Sequence, residues 1–448
     1  MSIFSTIHRN TIWPLVEHRN NIKTKKNLLF LSKSEKWSRD EILYYQSKRL
    51  KNILRHAYEN TLFYKDRFDN LGLKPDDIRS LEDYKQIPSV TRNDLNNYLD
   101  KMIALNISEK DRYFSTTGGS TGIATRFAID NKCLDIKKAS EYRFNIWTGW
   151  NPGEKILAYW PALTDFDDNA NQQVTLRNLL YSRHLKLFSG RLNKKILSEH
   201  LEAYIRFKPS LIRAFPSALQ KFAEYIKSEG NNLLQPKAII CVGEPLLESQ
   251  RILFKNVFGC DVYNCYVSRE CGNIACECPA HEGLHIAEEM IYLEIENQGE
   301  DGFGKILLTD LWNMGMPFIR YEIQDAARFV KGDCSCGKKH RRIGVDAARL
   351  SDFLISPVDG SYVSGSTLIH YLLAEGPQVG RVKLVQDAND HITILMTGDE
   401  KSNRKSVDHI KTRLNTVFKG KMKLHFKYVD NIPLLKSGKY SFVERKFS

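Results

Sequence analysis

The sequence predicts an α/β protein: a large N-terminal domain of several α/β layers with mixed, largely parallel sheets, followed by a small C-terminal α+β domain. Three observations carry this. Between residues 153 and 258, short apolar runs ending in glycine or proline turns alternate with stretches of helical periodicity, as in G-E-K-I-L-A-Y-W at 153–160 and K-A-I-I-C-V at 237–242. That alternation is the pattern of strand–turn–helix layers with parallel strands. Past Cys260 the texture changes, and 291–296 alternates polar and apolar as an antiparallel strand does. The last hundred residues place alternating runs at 382–385, 392–396 and 423–428 around one helical stretch, 407–417.

Taken in order, residues 1–80 read as mainly helical. Tyr44, Tyr45, Leu50, Ile53 and Leu54 are spaced as one apolar face, and 60–72 reads as a turn and a short helix. Helices are expected at 133–148, 201–206, 218–228 and 246–258, and strands at 211–215 and 304–308. A domain boundary is placed so that 1–349 forms the large domain and 350–448 the small one.

The totals bound the function. The 448 residues suffice for two or three domains, and 42% hydrophobic and 11% aromatic content describe an ordinary globular chain. A formal charge of +13 and a pI near 9.1 point to anionic ligands. The Lys and Arg residues are scattered beyond short clusters at 23–26 and 338–342, so an anionic substrate is a simpler reading than nucleic acid. No apolar run reaches membrane-spanning length, and the first residues lack the apolar core of a signal peptide. Nine cysteines then fit the cytoplasm, as thiols or metal ligands.

The densest punctuation is F-S-T-T-G-G-S-T-G-I-A-T-R-F at 114–127. Glycines permit close backbone approach, and hydroxyls with bare N–H groups form a concavity suited to phosphate oxygens. No Lys-Ser or Lys-Thr follows the last glycine, which excludes a Walker loop. The alternative is a flexible linker, but apolar flanks at 113–114 and 127–129 read as strands.

Six stretches together resemble the adenylate-forming superfamily of acyl-CoA synthetases, peptide-synthetase adenylation domains and luciferase-like enzymes, most closely its phenylacetate–CoA ligase and CapK-type branch. They are T-G-G-S-T-G at 117–122, V-G-E-P at 242–245, Y-V-S-R-E at 266–270, I-R-Y-E-I-Q-D at 319–325, A-R-L-S-D at 348–352 and S-G-K at 437–439. Each is weak alone, but they occur in the family's order and cover the chain from about residue 81 to 439. The resemblance implies activation of a carboxylic acid by ATP, with pyrophosphate released, and a small mobile C-terminal domain. Thr117, Gly118, Gly119, Ser120, Thr121 and Gly122 would hold the β- and γ-phosphates, and Glu270 with Thr121 would place Mg²⁺. Tyr266 would stack on adenine, with Gly243, Glu244 and Pro245 on its other face. Asp325 would take the ribose hydroxyls, with Arg349 on the same sugar, and Lys439 would balance charge between the carboxylate and the α-phosphate.

The chemistry needs these residue types because two anions must meet, so cations and oriented N–H groups have to be supplied. The implied partners are a small or aromatic carboxylic acid and then CoA or an amine or sugar acceptor, without nucleic acid or membrane insertion. A homodimer is compatible with this. The chain departs from the family pattern at Val267, Arg269, Ala124, Thr125 and Ser351. Trp147, Trp150, Trp160 and Phe215 fall where such enzymes keep the acid pocket, but large aromatics are more often core. An inactive nucleotide-binding homologue and a basic zinc-containing nucleic-acid-binding protein are the competing readings.

Two C-x-C clips, Cys276/Cys278 and Cys334/Cys336, with His281 and His285 nearby, supply donors for a closed tetrahedral Zn²⁺ site. The resemblance to phenylacetate–CoA ligase relatives selects Cys278, His285, Cys334 and Cys336 as ligands, with Cys276 or His281 as alternates. This zinc would be structural.

Overall fold

The computed structural model describes residues 3–116, 125–161, 174–230, 235–244, 246–296, 304–345, 353–360, 362–373, 377, 381–432 and 443–446. Two compact units make up the chain. The first gathers Met1–Thr117, Thr125–Gly153 and Tyr263–Asp346, and the second includes Glu154–Val262 and Ala347–Ser448.

In the first unit the N-terminal stretch is helical, as expected. The helix Arg39–Asn60 starts at a capping box, in which Ser38 and Glu41 exchange side-chain and backbone bonds. It buries Ile42, Gln46, Leu50, Ile53, Leu54 and Ala57, a stripe at helical spacing. Tyr44 is not part of that face, because it is 73% exposed. Gln46 donates to the carbonyls of Glu288 and Ile291, at 2.9 and 3.2 Å, which docks the helix on the strand region.

Seven strands follow one another antiparallel in this unit, in the spatial order Ile291–Glu296, Gly304–Asp310, Tyr321–Val330, Arg342–Val345, Leu284–Ile286, Gly272–Glu277 and Asp261–Ser268. The alternating texture past Cys260 therefore reports antiparallel pairing. A separate hairpin, Arg112–Thr116 with Arg126–Asp130, sets Thr116 opposite Arg126.

The second unit contains the parallel strands. Ala238–Val242, Leu211–Ala214, Ile156–Trp160 and His184–Phe188 lie side by side in that order, all parallel. The helices Lys194–Phe207, Pro216–Ser228 and Glu248–Phe258 bury their apolar stripes in one core with these strands. Tyr159 stacks on Phe222 at 5.2 Å between ring centroids, at the middle of that core. In the same unit, Lys423–Val429, His391–Thr397, Val382–Ala388 and Val443–Arg445 form a four-stranded sheet with the helices Gly365–Leu373 and Glu400–Phe418. Each strand and helix read from the last hundred residues is present and extends up to seven residues further at an end. No described helix is long and apolar enough to cross a membrane.

Candidate active site and metal centre

Thr117, Gly118, Gly119, Ser120, Thr121, Gly122, Pro245, Arg349 and Lys439 lie outside the described residues, as does the 348–352 segment. The flanks of the glycine-rich stretch are described, and they are the two strands of the hairpin. Asp130, at the end of the second strand, anchors it. One carboxylate oxygen caps the helix Asn131–Trp147 through Cys133 N–H at 3.0 Å, and the other accepts from Met314 and Gly315 N–H at 2.8 and 3.1 Å.

Tyr266 and Glu270 lie in one short stretch, which meets the distant stretch that carries Tyr321 and Asp325 in the first unit. Tyr266 sits on the strand Asp261–Ser268 and Asp325 on Tyr321–Val330, with three strands between them in the sheet order. In a flat sheet, spacing of ~4.8 Å per strand would hold them about 19 Å apart. The Tyr266 hydroxyl nevertheless donates to Asp325 Oδ2 at 2.8 Å, so these antiparallel strands curl back towards one another. Both residues lie at breaks in pairing. The register shifts between Tyr266 and Val267. On the other strand, Lys305 faces Ala326 while Leu307 faces Glu322, so the single residue 306 opposes residues 323–325. Bulges of this kind re-aim side chains and are common beside active sites.

Glu270, in the turn after Tyr266, is buried, and its Oε1 accepts from the Tyr321 hydroxyl at 3.1 Å. Burial pushes the Tyr321 phenol well up, which keeps it a donor. The backbone of the same turn is held by Lys137, whose Nζ donates to Glu270 O at 2.7 Å and pairs with Asp310 at 2.9 Å. Burial by itself would lower the Lys137 pKa, but Asp310 beside it outweighs that and keeps the ammonium charged. Lys137 and Tyr321 were not picked out from sequence as site residues. The available signal for Lys137 is its spacing: Cys133, Lys137, Ser140 and Phe144 recur at three- and four-residue intervals, and all are buried.

In the second unit, Gly243 has φ +75°, and a Cβ there would lie 2.5 Å from the Phe215 ring. Only glycine fits that turn. Glu244 Oε2 accepts from Ser217 N–H at 3.0 Å, placing the carboxylate at the N-terminus of the helix Pro216–Ser228. The 243–244 turn is thereby fixed to the start of the helix Pro216–Ser228, which Phe215 precedes and whose first turn holds Ser217. Phe215 meets Trp160 edge-on at 4.9 Å. Trp147 and Trp150 are buried in the first unit.

Cys278, His285, Cys334 and Cys336 converge in the first unit, with all four donor atoms within 4.8 Å of one another. They come from consecutive positions in the sheet. Cys278 follows the strand Gly272–Glu277, His285 lies in Leu284–Ile286, and Cys334 and Cys336 sit between Tyr321–Val330 and Arg342–Val345. Gly337, at φ +81°, closes the C-S-C-G turn with its N–H on Cys334 O at 3.0 Å. A tetrahedral zinc with bonds of ~2.3 Å to sulfur and ~2.0 Å to nitrogen implies edges of about 3.8 Å (S···S) and about 3.5 Å (S···N). The Cys278–Cys334 sulfurs are 3.6 Å apart, and Cys336 Sγ is 3.3 Å from His285 Nε2. His285 Nδ1 donates to the His340 carbonyl at 3.1 Å, which leaves Nε2 as the free lone pair. Burial pushes the His285 pKa down to about 4, so the imidazole is neutral at pH 7. The donor set and its spacing fit Zn²⁺. His281 instead turns to Glu277 at 3.0 Å, and the four donor atoms that lie together do not include that of Cys276.

Behind this centre, His340 Nε2 contacts Glu289 Oε1 at 2.8 Å, and Arg143 donates to the same oxygen at 2.7 Å. Ser34 also bonds to it. Trp147 packs edge-on against the His285 ring at 5.9 Å.

Comparison with known proteins agrees with this architecture. Residues 354–446 match the model of the CapK C-terminal domain. The phenylacetate-coenzyme A ligase of Aromatoleum evansii is 28% identical over 375 residues, 81% of this chain and 82% of that protein. The protein of the same name from Escherichia coli (strain K12) is 28% identical over 330 residues, 70% and 73% of the two chains. Among solved structures, 2-hydroxyisobutyryl-CoA ligase in complex with 2-HIB-AMP and CoA aligns over 93% of this chain and 92% of that one, with TM-score 0.63 at 18% identity. The fold is that of the adenylate-forming CoA ligases. The chain is similar to the phenylacetate–CoA ligases over most of its length, and its residues 354–446 match the CapK C-terminal domain.

Proposed function

We propose that this chain is an ATP-dependent, AMP-forming carboxylic acid ligase. In the first half-reaction a carboxylate oxygen attacks the α-phosphorus, the bond to the bridging oxygen breaks, and pyrophosphate leaves. In the second, the CoA sulfur attacks the acyl carbon, AMP leaves, and the thiol proton is released. The observation that carries the proposal is that the 266–270 stretch meets the 321–325 stretch twice, Tyr266 on Asp325 at 2.8 Å and Glu270 on Tyr321 at 3.1 Å, in a chain homologous to CoA ligases.

The residue roles follow the sequence. Thr117, Gly118, Gly119, Ser120, Thr121 and Gly122 cradle the departing pyrophosphate. Tyr266, Gly243, Glu244 and Pro245 are assigned to adenine, and Asp325 and Arg349 to ribose. Lys439, carried by a small domain of residues 350–448, neutralises charge where the two anions meet. Mg²⁺ held by Glu270 and Thr121 would offset phosphate charge when bound. Zn²⁺ held by Cys278, His285, Cys334 and Cys336 would pin neighbouring strand ends behind Glu270, outside the chemistry.

CoA is assigned as acceptor because the relatives that span most of the chain are named CoA ligases. An amine acceptor is the alternative, and it would give an amide in place of a thioester. The acid is small or aromatic, and nine cysteines without a disulfide suit the cytoplasm. Acid-dependent exchange of pyrophosphate into ATP tests the adenylation step, and thioester formation tests the acceptor.

A further inference from the structure

We infer that the Tyr266 hydroxyl is a positioning group for Asp325 and sets how strongly the site prefers ribonucleotides to deoxyribonucleotides. The inference rests on the reading of the chain as an ATP-dependent ligase. Tyr266 Oη lies 2.8 Å from Asp325 Oδ2. An ionised carboxylate only accepts, so the phenol must donate. The carboxyl torsion of an aspartate is otherwise soft and broadly populated. Pinning Oδ2 fixes the plane of the group and so the direction in which Oδ1 presents its lone pairs.

The backbone supports this assignment on both sides. Tyr266 is placed by a register shift on its own strand, and Asp325 by the bulge at 323–325, so two separate irregularities converge on one bond. Bulges at both ends of one side-chain contact indicate a contact that the fold was built to make. A carboxylate held in a fixed plane can meet the 2′- and 3′-hydroxyls of a ribose together, whereas a freely turning one pays ordering entropy on binding. Tyr266 would thus act twice, through its ring on the base and through its hydroxyl, by way of Asp325, on the sugar.

The experiment compares Tyr266→Phe with wild type for ATP, 2′-deoxyATP and 3′-deoxyATP, by direct binding and by the KM and kcat of acid-dependent pyrophosphate exchange. Phenylalanine keeps the stacking ring and removes only the hydroxyl. KM for ATP is expected to rise about tenfold, the scale of a hydrogen bond to a charged group, with a smaller change in kcat. The wild-type preference for ATP over either deoxynucleotide should shrink by a similar factor. In an Asp325→Asn background, Tyr266→Phe should then have little further effect, because the hydroxyl acts through that carboxylate. Equal loss for all three nucleotides, or additivity with Asp325→Asn, would overturn the inference while leaving the ligase reading intact. Wild-type protein that binds none of the three nucleotides would overturn that reading, and the inference with it.

Discussion

Tyr321 and Glu270 are 51 positions apart, yet the Tyr321 hydroxyl donates to Glu270 Oε1 across 3.1 Å inside the first unit. A buried carboxylate that keeps one oxygen on a fixed donor has the other available for a cation. Tyr321→Phe removes the donor and little else. The expected outcome is a several-fold higher Mg²⁺ concentration for half-maximal activity, with stability lowered by about 1–3 kcal/mol. A Mg²⁺ titration of pyrophosphate exchange, beside urea unfolding, measures both, and an unchanged Mg²⁺ requirement would remove Glu270 from its assigned role.

The metal centre makes its own prediction. Purified protein should carry close to one zinc per chain. Cys278→Ser or Cys336→Ser should lower zinc retention by at least the 10–100-fold seen when only a supporting residue is lost. Metal analysis and thermal melting should change together, because a bound structural metal stabilises by mass action. Protein with no zinc, melting as the variants do, would show that the four donors stand there as plain reduced side chains.

His200 offers a pH test away from both sites. Its Nδ1 lies 3.0 Å from the Tyr159 hydroxyl in the core of the second unit, and burial pushes its pKa down from 6.5 to about 4. The unfolded chain therefore binds a proton that the folded one refuses between those values. Stability is full above about pH 6.5 and declines as pH falls towards 4, by an amount of order 3 kcal/mol from this residue. Unfolding free energies at several pH values in that window should show a shallower slope for His200→Phe. An identical slope in both proteins would refute the assignment.

The sequence was most informative where chemistry is carried by short-range pattern. The parallel strands at Ile156–Trp160, Leu211–Ala214 and Ala238–Val242 announce themselves as apolar runs closed by turns. The strand His184–Phe188 is less plain, because H-L-K-L-F has no β-branched residue. Two C-x-C clips and two nearby histidines made a metal site legible, and the resemblance to phenylacetate–CoA ligase relatives chose the four ligands among them. What brings Tyr266 to Asp325 was not legible: the curl of the sheet and the two register breaks depend on long-range pairing that no local pattern encodes. Lys137 escaped notice for a related reason, since a lysine is read as solvated until its partner, here Asp310, is known to be buried beside it.

Acyl-adenylate formation is read most directly by exchange of labelled pyrophosphate into ATP without any acceptor, across small and aromatic carboxylic acids. Exchange should require both Mg²⁺ and one class of acid, and should fall at least about a hundredfold in Lys439→Ala while ATP still binds. No exchange with any acid, or full activity in Lys439→Ala, would contradict it.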